Sequence, residues 1–220
     1  MFSFYTKSEV SVPSANEVRL MRLLQAHVPP AAVLYCLSLW KEHSFSFKVT
    51  RSRSSCLGNY KYEGGNHTIT VNNDLNRYNF LITYIHEVAH MKVQLTSGNR
   101  RRKRPLPHGE EWKCCFQEVF APLLNEEVFP EDILIILSQH MVNPAASSTR
   151  DHRLMQVLRS YDEGNESALH LENIPDGETF LFKNRLFQKL EKRRTRALCL
   201  EVKTKRKYTI PLLAEIQKAG

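Results

Sequence analysis

The sequence predicts an α+β fold: a helical core with a short β-hairpin sheet, followed by a small β-rich C-terminal module. Three observations predict it. Apolar residues recur at three- and four-residue spacing over much of the first two thirds of the chain. Between residues 45 and 71 that spacing gives way to two-residue alternation around Glu63-Gly64-Gly65-Asn66, a hairpin turn. Beyond Gly164 the apolar residues fall in short runs separated by turns such as Pro175-Asp176-Gly177. A chain of 220 residues suffices for one sizeable domain and a small appendage. The expected division is 1–162 and 163–220.

Taken in order, Ser14-Ala15-Asn16-Glu17 is a capping box that opens a first helix, with Leu20, Met21, Leu23 and Leu24 at helical spacing. Pro29-Pro30 interrupts it, and Pro30 can start a second helix. That helix has Val33, Leu34, Leu37 and Trp40 on one face, and Cys36 reads as packing. Phe45, Phe47 and Val49 alternate with polar residues, a half-buried strand. Residues 56–62 and 67–71 are the two arms of the hairpin, with His67 expected at the surface. A long apolar helix follows Asn72-Asn73-Asp74 and ends near Thr96-Ser97-Gly98-Asn99. The next carries Trp112, Phe116, Val119 and Phe120 on its apolar side, where Cys114 and Cys115 also read as packing. Pro130 opens another, with Ile133, Leu134, Ile136 and Leu137. Residues 143–148 look like a linker, and a helix bearing Leu154, Val157 and Leu158 begins at Thr149-Arg150-Asp151. His140 and His152 are expected at the surface. The C-terminal module is expected to hold strands at 169–171, 179–182, 196–202 and 208–210.

Within the long helix stands His86-Glu87-Val88-Ala89-His90, the pattern H-E-x-x-H. Residues four apart share a helix face, so His86 and His90 can offer imidazoles to one metal ion. Glu87, beside the first ligand, can reach a water on that ion and act as general base. A buried polar trio without partners is costly, and ligation of one zinc ion satisfies it. A zinc hydrolase site needs a third protein ligand and an open position. His108 is the nearest downstream histidine and sits at a helix start; Glu110, Glu111 and Glu118 are the alternatives. The compact motif that continues H-x-x-G-x-x-H is absent, because Val93, Gln94 and Leu95 follow. Tyr60, Tyr62 and Tyr84 are nominal candidates for an oxyanion stabiliser.

The net charge of +8 is unevenly placed. Arg100, Arg101, Arg102, Lys103 and Arg104 form an unbroken basic run. From Lys183 to Lys207 eleven Lys/Arg stand against Glu191 and Glu201 alone, whereas residues 105–162 are acidic in balance. Such placement suggests an anionic partner, nucleic acid first. No stretch of about 18 apolar residues occurs, so no membrane span is expected. Residues 1–7 show no secretion signal. Five cysteines without a C-x-x-C pair favour a reducing, cytoplasmic setting.

Two helices, a hairpin with Leu57-Gly58, a strand leading to His86-Glu87-x-x-His90, then His108-Gly109 and an aromatic at Trp112: this order resembles the SprT-like metalloprotease family, shared by bacterial SprT proteins and the DNA–protein crosslink protease Spartan. The resemblance spans roughly residues 14–125. It implies a zincin-like α+β fold, zinc on His86, His90 and His108, and Glu87 as catalytic base. It also implies a protein substrate, often protein bound to DNA, with no further small-molecule cofactor. Many relatives carry a C-terminal zinc ribbon with two cysteine pairs; here that region has only Cys199, so a ribbon zinc is excluded.

The sequence therefore favours a zinc metalloendopeptidase acting on DNA-associated or DNA-crosslinked proteins, with single-stranded DNA the favoured nucleic acid and Arg100–104 its contact. The alternative is a non-catalytic, zinc-containing nucleic-acid-binding protein that uses its Lys/Arg clusters. Glu87 argues against it, since a purely structural site needs ligands and no base. An adaptor reading for the C-terminal module finds no peptide-groove signature.

Overall fold

A computed structural model describes residues 13–53, 55–97, 106–145, 151–162 and 169–219. The chain divides into two compact units, Met1–Pro144 and Ala145–Gly220. The first begins with α1 (Ala15–His27), whose N-cap Ser14 hydroxyl accepts from the Glu17 N–H at 3.2 Å. A 3-10 turn at Pro30–Ala32 leads into α2 (Val33–His43), closed by Ser44 in the left-handed region at φ 49°.

Strands β1 (Ser46–Thr50), β2 (Gly58–Glu63) and β3 (Asn66–Asn72) form one sheet in the order β1-β3-β2. The hairpin β2–β3 turns through Gly64 and Gly65, both at positive φ. β1 runs parallel to β3 on its other side. Helix α3 (Arg77–Ser97) lies against β2 and β3. Its start is closed by the Asn76 side chain, which accepts from the N–H groups of Tyr78 and Asn79 at 3.1 and 3.0 Å.

Burial decides the pose of α3. Phe80, Leu81, Tyr84, Ile85, Val88, Ala89 and Met91 are all inaccessible, as are Ile69 and Val71 on the sheet. An apolar side chain of this size contributes about 1.5–3 kcal/mol when buried, so rotating α3 away from the sheet would expose far more than polar contacts could recover. Phe47 on β1 meets Tyr84 edge-on, and the Tyr84 hydroxyl donates to the Cys36 carbonyl at 3.0 Å, tying α3 to α2. Helix α4 (Glu110–Phe120) packs against α3. Gln117 donates from its amide to the Met141 carbonyl at 2.7 Å, which fastens α5 (Glu131–Val142) to α4.

The second unit holds α6 (His152–Arg159) and five antiparallel strands: β4 (Thr179–Phe182), β5 (Arg185–Lys192), β6 (Arg196–Glu201), β7 (Lys207–Pro211) and β8 (Gln217–Lys218). Their order is β7-β6-β5-β4-β8. Phe180, Phe187, Ala197, Cys199 and Ile210 alternate inward and form the core with Leu171, Ile174, Leu212 and Ile216. Two sequence expectations are corrected here, and one strand is added. The strand at 169–171 is a single bridge from His170 to Glu215 followed by a 3-10 turn, Leu171–Asn173. β5 was not expected, because Arg185, Lys189 and Lys192 mask its alternation. Lys189 is only 2% exposed, yet its ammonium is satisfied by the Ile174 carbonyl at 2.6 Å, with Asp176 at 3.5 Å. His140 is buried in α5 rather than at the surface. The compact units part at Pro144, so α6 goes with the sheet, whereas the sequence placed the division after residue 162.

Candidate metal centre

His86 and His90 lie one turn apart on α3 with their ring centroids 4.9 Å apart. His108 comes from the turn before α4, eighteen residues beyond His90, with its backbone in the left-handed region at φ 61°. That conformation is uncommon for a residue with a β-carbon, and such residues concentrate at functional sites. The turn is closed by the Gly109 N–H donating to the Leu106 carbonyl at 2.9 Å.

The three Nε2 atoms converge. His86 to His90 is 3.1 Å, His86 to His108 is 3.1 Å and His90 to His108 is 2.9 Å. Three mutual contacts of this length cannot all be hydrogen bonds, because each Nε2 either carries one proton or presents one lone pair. A cation resolves the conflict. An ion bonded at about 2.0–2.1 Å to each holds such atoms roughly 3.0–3.4 Å apart, close to what is found. Among the described residues these three alone form a group that could hold a metal ion. Burial and the neighbouring histidines push the His86 imidazole down to about 2 and His90 down to about 4. Both are therefore neutral, the form a metal requires.

Trp112 walls the site from α4. Its ring centroid lies 4.6 Å from His86, 5.4 Å from His90 and 4.8 Å from His108. It is 1% exposed and stacks on Phe116 at 4.9 Å. The sequence marked Trp112 as core and as part of a resemblance; its contact with all three imidazoles could be known only once α3 and α4 were packed.

Glu87 is turned about 100 degrees from His86 around α3, toward β2. It is 6% exposed. Burial raises its carboxyl to about 7, against the lowering effect of the Tyr60 main-chain N–H, which donates to it, and of the Arg53 charge. Arg53 is held by Asn72 Oδ1 at 2.8 Å and Thr70 Oγ1 at 3.1 Å, and Asn72 in turn donates to the carbonyls of Arg53 and Cys56. This network shapes the loop entering β2. Nothing in the local sequence pointed to Arg53 or Asn72.

The remaining candidates lie elsewhere. Glu110 and Glu111 are exposed, Glu110 paired with Lys113 at 3.0 Å, and Glu118 faces Lys92 at 3.8 Å. Tyr84 is fully buried with its hydroxyl used on Cys36, so it is not an oxyanion donor. The Tyr60 hydroxyl pairs with His67 Nδ1 at 2.8 Å, which leaves His67 half-buried rather than free at the surface, and Tyr62 is half exposed. Arg100, Arg101, Arg102, Lys103 and Arg104 lie outside the described residues.

Two histidines of α3 and one from the turn before α4 thus form a candidate metal centre beside the edge strand of a small sheet. Residues 34–130 match the SprT-like family model, so a SprT-like domain occupies the chain from α2 to the start of α5. The matched stretch leaves α1 outside it. No curated protein matches the chain. No helix of the described residues is long and apolar enough to cross a membrane.

Proposed function

We propose that the chain is a zinc-dependent endopeptidase of SprT-like type that cleaves protein substrates, including proteins held on DNA. The observation that carries the reading is the convergence of His86, His90 and His108 beside a buried Glu87 on the same helix. In this reading the three imidazoles hold one zinc ion. Zinc, when bound, supplies Lewis acidity toward water and toward the scissile carbonyl. Glu87 accepts the proton of the attacking water on its carboxylate and returns it to the leaving amine. A carboxyl near 7 suits both halves of that task at neutral pH. The Tyr60 N–H orients Glu87, and Trp112 shields one side of the ligands from water.

The net charge of +8, with the run Arg100–104 and the basic segment 183–207, supports DNA as the partner that brings substrate to the site, single strands in particular. The five cysteines are free thiols, in keeping with a reducing, cytoplasmic setting.

The test measures cleavage of a DNA-binding protein, and of the chain itself, with and without single-stranded DNA, for wild type and Glu87→Gln. Cleavage lost in Glu87→Gln while zinc is retained, and stimulated by DNA, is the expected result. Cleavage that persists in Glu87→Gln sinks the mechanism. Zinc and DNA binding without any cleavage would assign the chain to the non-catalytic nucleic-acid-binding class.

A further inference from the structure

The three-stranded sheet has two edges. β2 forms one, beside Glu87, and β1 forms the other. The Thr50 carbonyl accepts from the Asn73 N–H at 2.9 Å, so Thr50 turns its main-chain groups inward. Along a strand, successive residues turn their N–H and C=O alternately to the two sides. Phe45, Phe47 and Val49 therefore turn theirs outward. The Phe45 carbonyl is taken by the Trp40 indole N–H at 2.7 Å. Among the described residues nothing bonds the main-chain N–H or C=O of Phe47 or Val49. Unpaired edge groups of this kind are a template for another strand.

These groups border a cleft of about 940 Å³ between β1 and α1. Phe47 and Lys48, whose side chains leave the strand on opposite faces, both line it, as do Asn66, His67 and Thr68 at the start of β3, so the cleft reaches the β1 edge and continues over the end of the sheet. The facing wall is α1, through Arg19, Leu20 and Leu23. Among the described residues no carboxylate lines the cleft, and Glu17 on the same helix is engaged by Lys41. Arg19 and Lys48 are exposed and, among the described residues, make no ion pair.

We propose that this groove binds an extended segment of a partner protein as an added strand on β1, with apolar and acidic side chains in alternation. Main-chain bonds to Phe47 and Val49 supply the pairing. Alternate side chains of the segment fall to opposite faces: one set packs on Leu20, Leu23 and Phe47, and the other lies beside Lys48, with Arg19 at the rim. The charge of the lining selects acid over base. The site stands apart from the metal centre, which borders the opposite edge, and it does not depend on the chain being a protease.

The test uses the full chain and a fluorescein-labelled hexapeptide of alternating valine and aspartate, read by fluorescence anisotropy. Saturable binding is expected, weakened at least tenfold in the double variant Arg19→Glu, Lys48→Glu and abolished when lysine replaces aspartate in the peptide. Two peptides N-methylated at every second residue, in opposite registers, leave the protein untouched and so decide the matter even if the double variant misfolds. One register, which blocks the bonds to β1, loses binding, and the other keeps it. No saturable binding at millimolar peptide overturns the proposal, as does equal binding of the two methylated peptides. A dimer in sedimentation that the hexapeptide dissociates would assign the groove to a second copy of the chain and would also overturn it.

Discussion

Gly58 on β2 lies directly against Glu87 on α3: a β-carbon at residue 58 would stand 2.8 Å from Glu87 Oε1 and 2.6 Å from Thr83 Cγ2. The absence of a side chain at Gly58 is what lets the helix approach the edge strand closely enough for the Tyr60 N–H to reach the carboxylate. Gly58→Ala should therefore displace Glu87 while leaving the three histidines in place. The expected result is unchanged zinc content, a stability loss of about 1–3 kcal/mol from overpacking, and a fall in kcat larger than the change in KM. Unaltered kcat would show that this contact does not position the base.

His108 reaches the other two imidazoles from a left-handed backbone at φ 61°. His108→Ala and His108→Gly both remove the ring, and both should weaken zinc binding beyond the roughly 10–100-fold typical of outer-shell changes. They should differ in stability. Glycine tolerates positive φ, so metal-free His108→Gly should be more stable than His108→Ala by about 1 kcal/mol in chemical denaturation. Equal stabilities would mean that the turn relaxes to another conformation once the ring is gone.

Metal-free protein should lose stability in mild acid. Folding holds His86 at about 2 and His90 at about 4, below the ordinary histidine range. Their contribution is complete above about 6.5 and is lost as pH falls, by about 1.4 kcal/mol per pH unit for each. Glu87, raised to about 7, works in the opposite sense: its contribution is complete below about 4.5 and is lost as pH rises toward 7. Between pH 6 and pH 5 it therefore offsets one histidine. Glu87→Gln removes the offset, and its stability should fall about twice as steeply over that unit as the wild type's. Parallel slopes for the two chelator-treated proteins would refute the raised carboxyl.

Trp112 touches all three imidazoles, yet among the described residues its indole N–H is buried without a partner. Trp112→Phe thus loses no hydrogen bond and should retain zinc affinity. Trp112→Ala opens a cavity behind the ligands. It should cost about 3–5 kcal/mol and weaken zinc, with a broadened cobalt absorption spectrum as the sign of loosened ligands. If alanine leaves metal affinity and spectrum intact, the ring is packing alone.

In the C-terminal unit, Arg185 pairs with Glu201 at 2.6 Å and lies over the rings of Phe187 and Tyr208 at 5.2 and 4.8 Å. The hydrogen bonds from Arg185 and Thr204 hold the Glu201 carboxyl down at about 2. Its contribution is present above about 4.5 and is lost as pH falls toward 2. Arg185→Leu removes the larger of these effects and should weaken that acid dependence in thermal melts of the full chain, with the Thr204 bond keeping part of it, while sparing zinc binding.

Much of this arrangement is legible along the chain. A helix repeats every 3.6 residues, so His86, Glu87 and His90 declare their relation within a single turn. The helix cap at Ser14, the glycine turn at Gly64-Gly65 and the alternation in β4, β6 and β7 are equally local, and each reads directly from residue type and spacing. β5 escaped because burying Lys189 requires a carbonyl and a carboxylate supplied by the preceding loop, which no strand pattern encodes. His140 was misplaced for a similar reason: the face of α5 that is covered depends on where α4 lies.

What the sequence by itself determined is the helix that carries the candidate site, the shared face of His86 and His90, and the position of a glutamate beside them, because these follow from helix geometry alone. Only the tertiary structure decided that His108 rather than Glu110, Glu111 or Glu118 completes the triangle, that Gly58 is bare because Glu87 needs the space, and that β1 is left as an open edge. Each of those depends on residues brought together by the burial of α3 against the sheet and α4. That burial is a long-range choice, made by apolar area summed over the whole core rather than by any local preference.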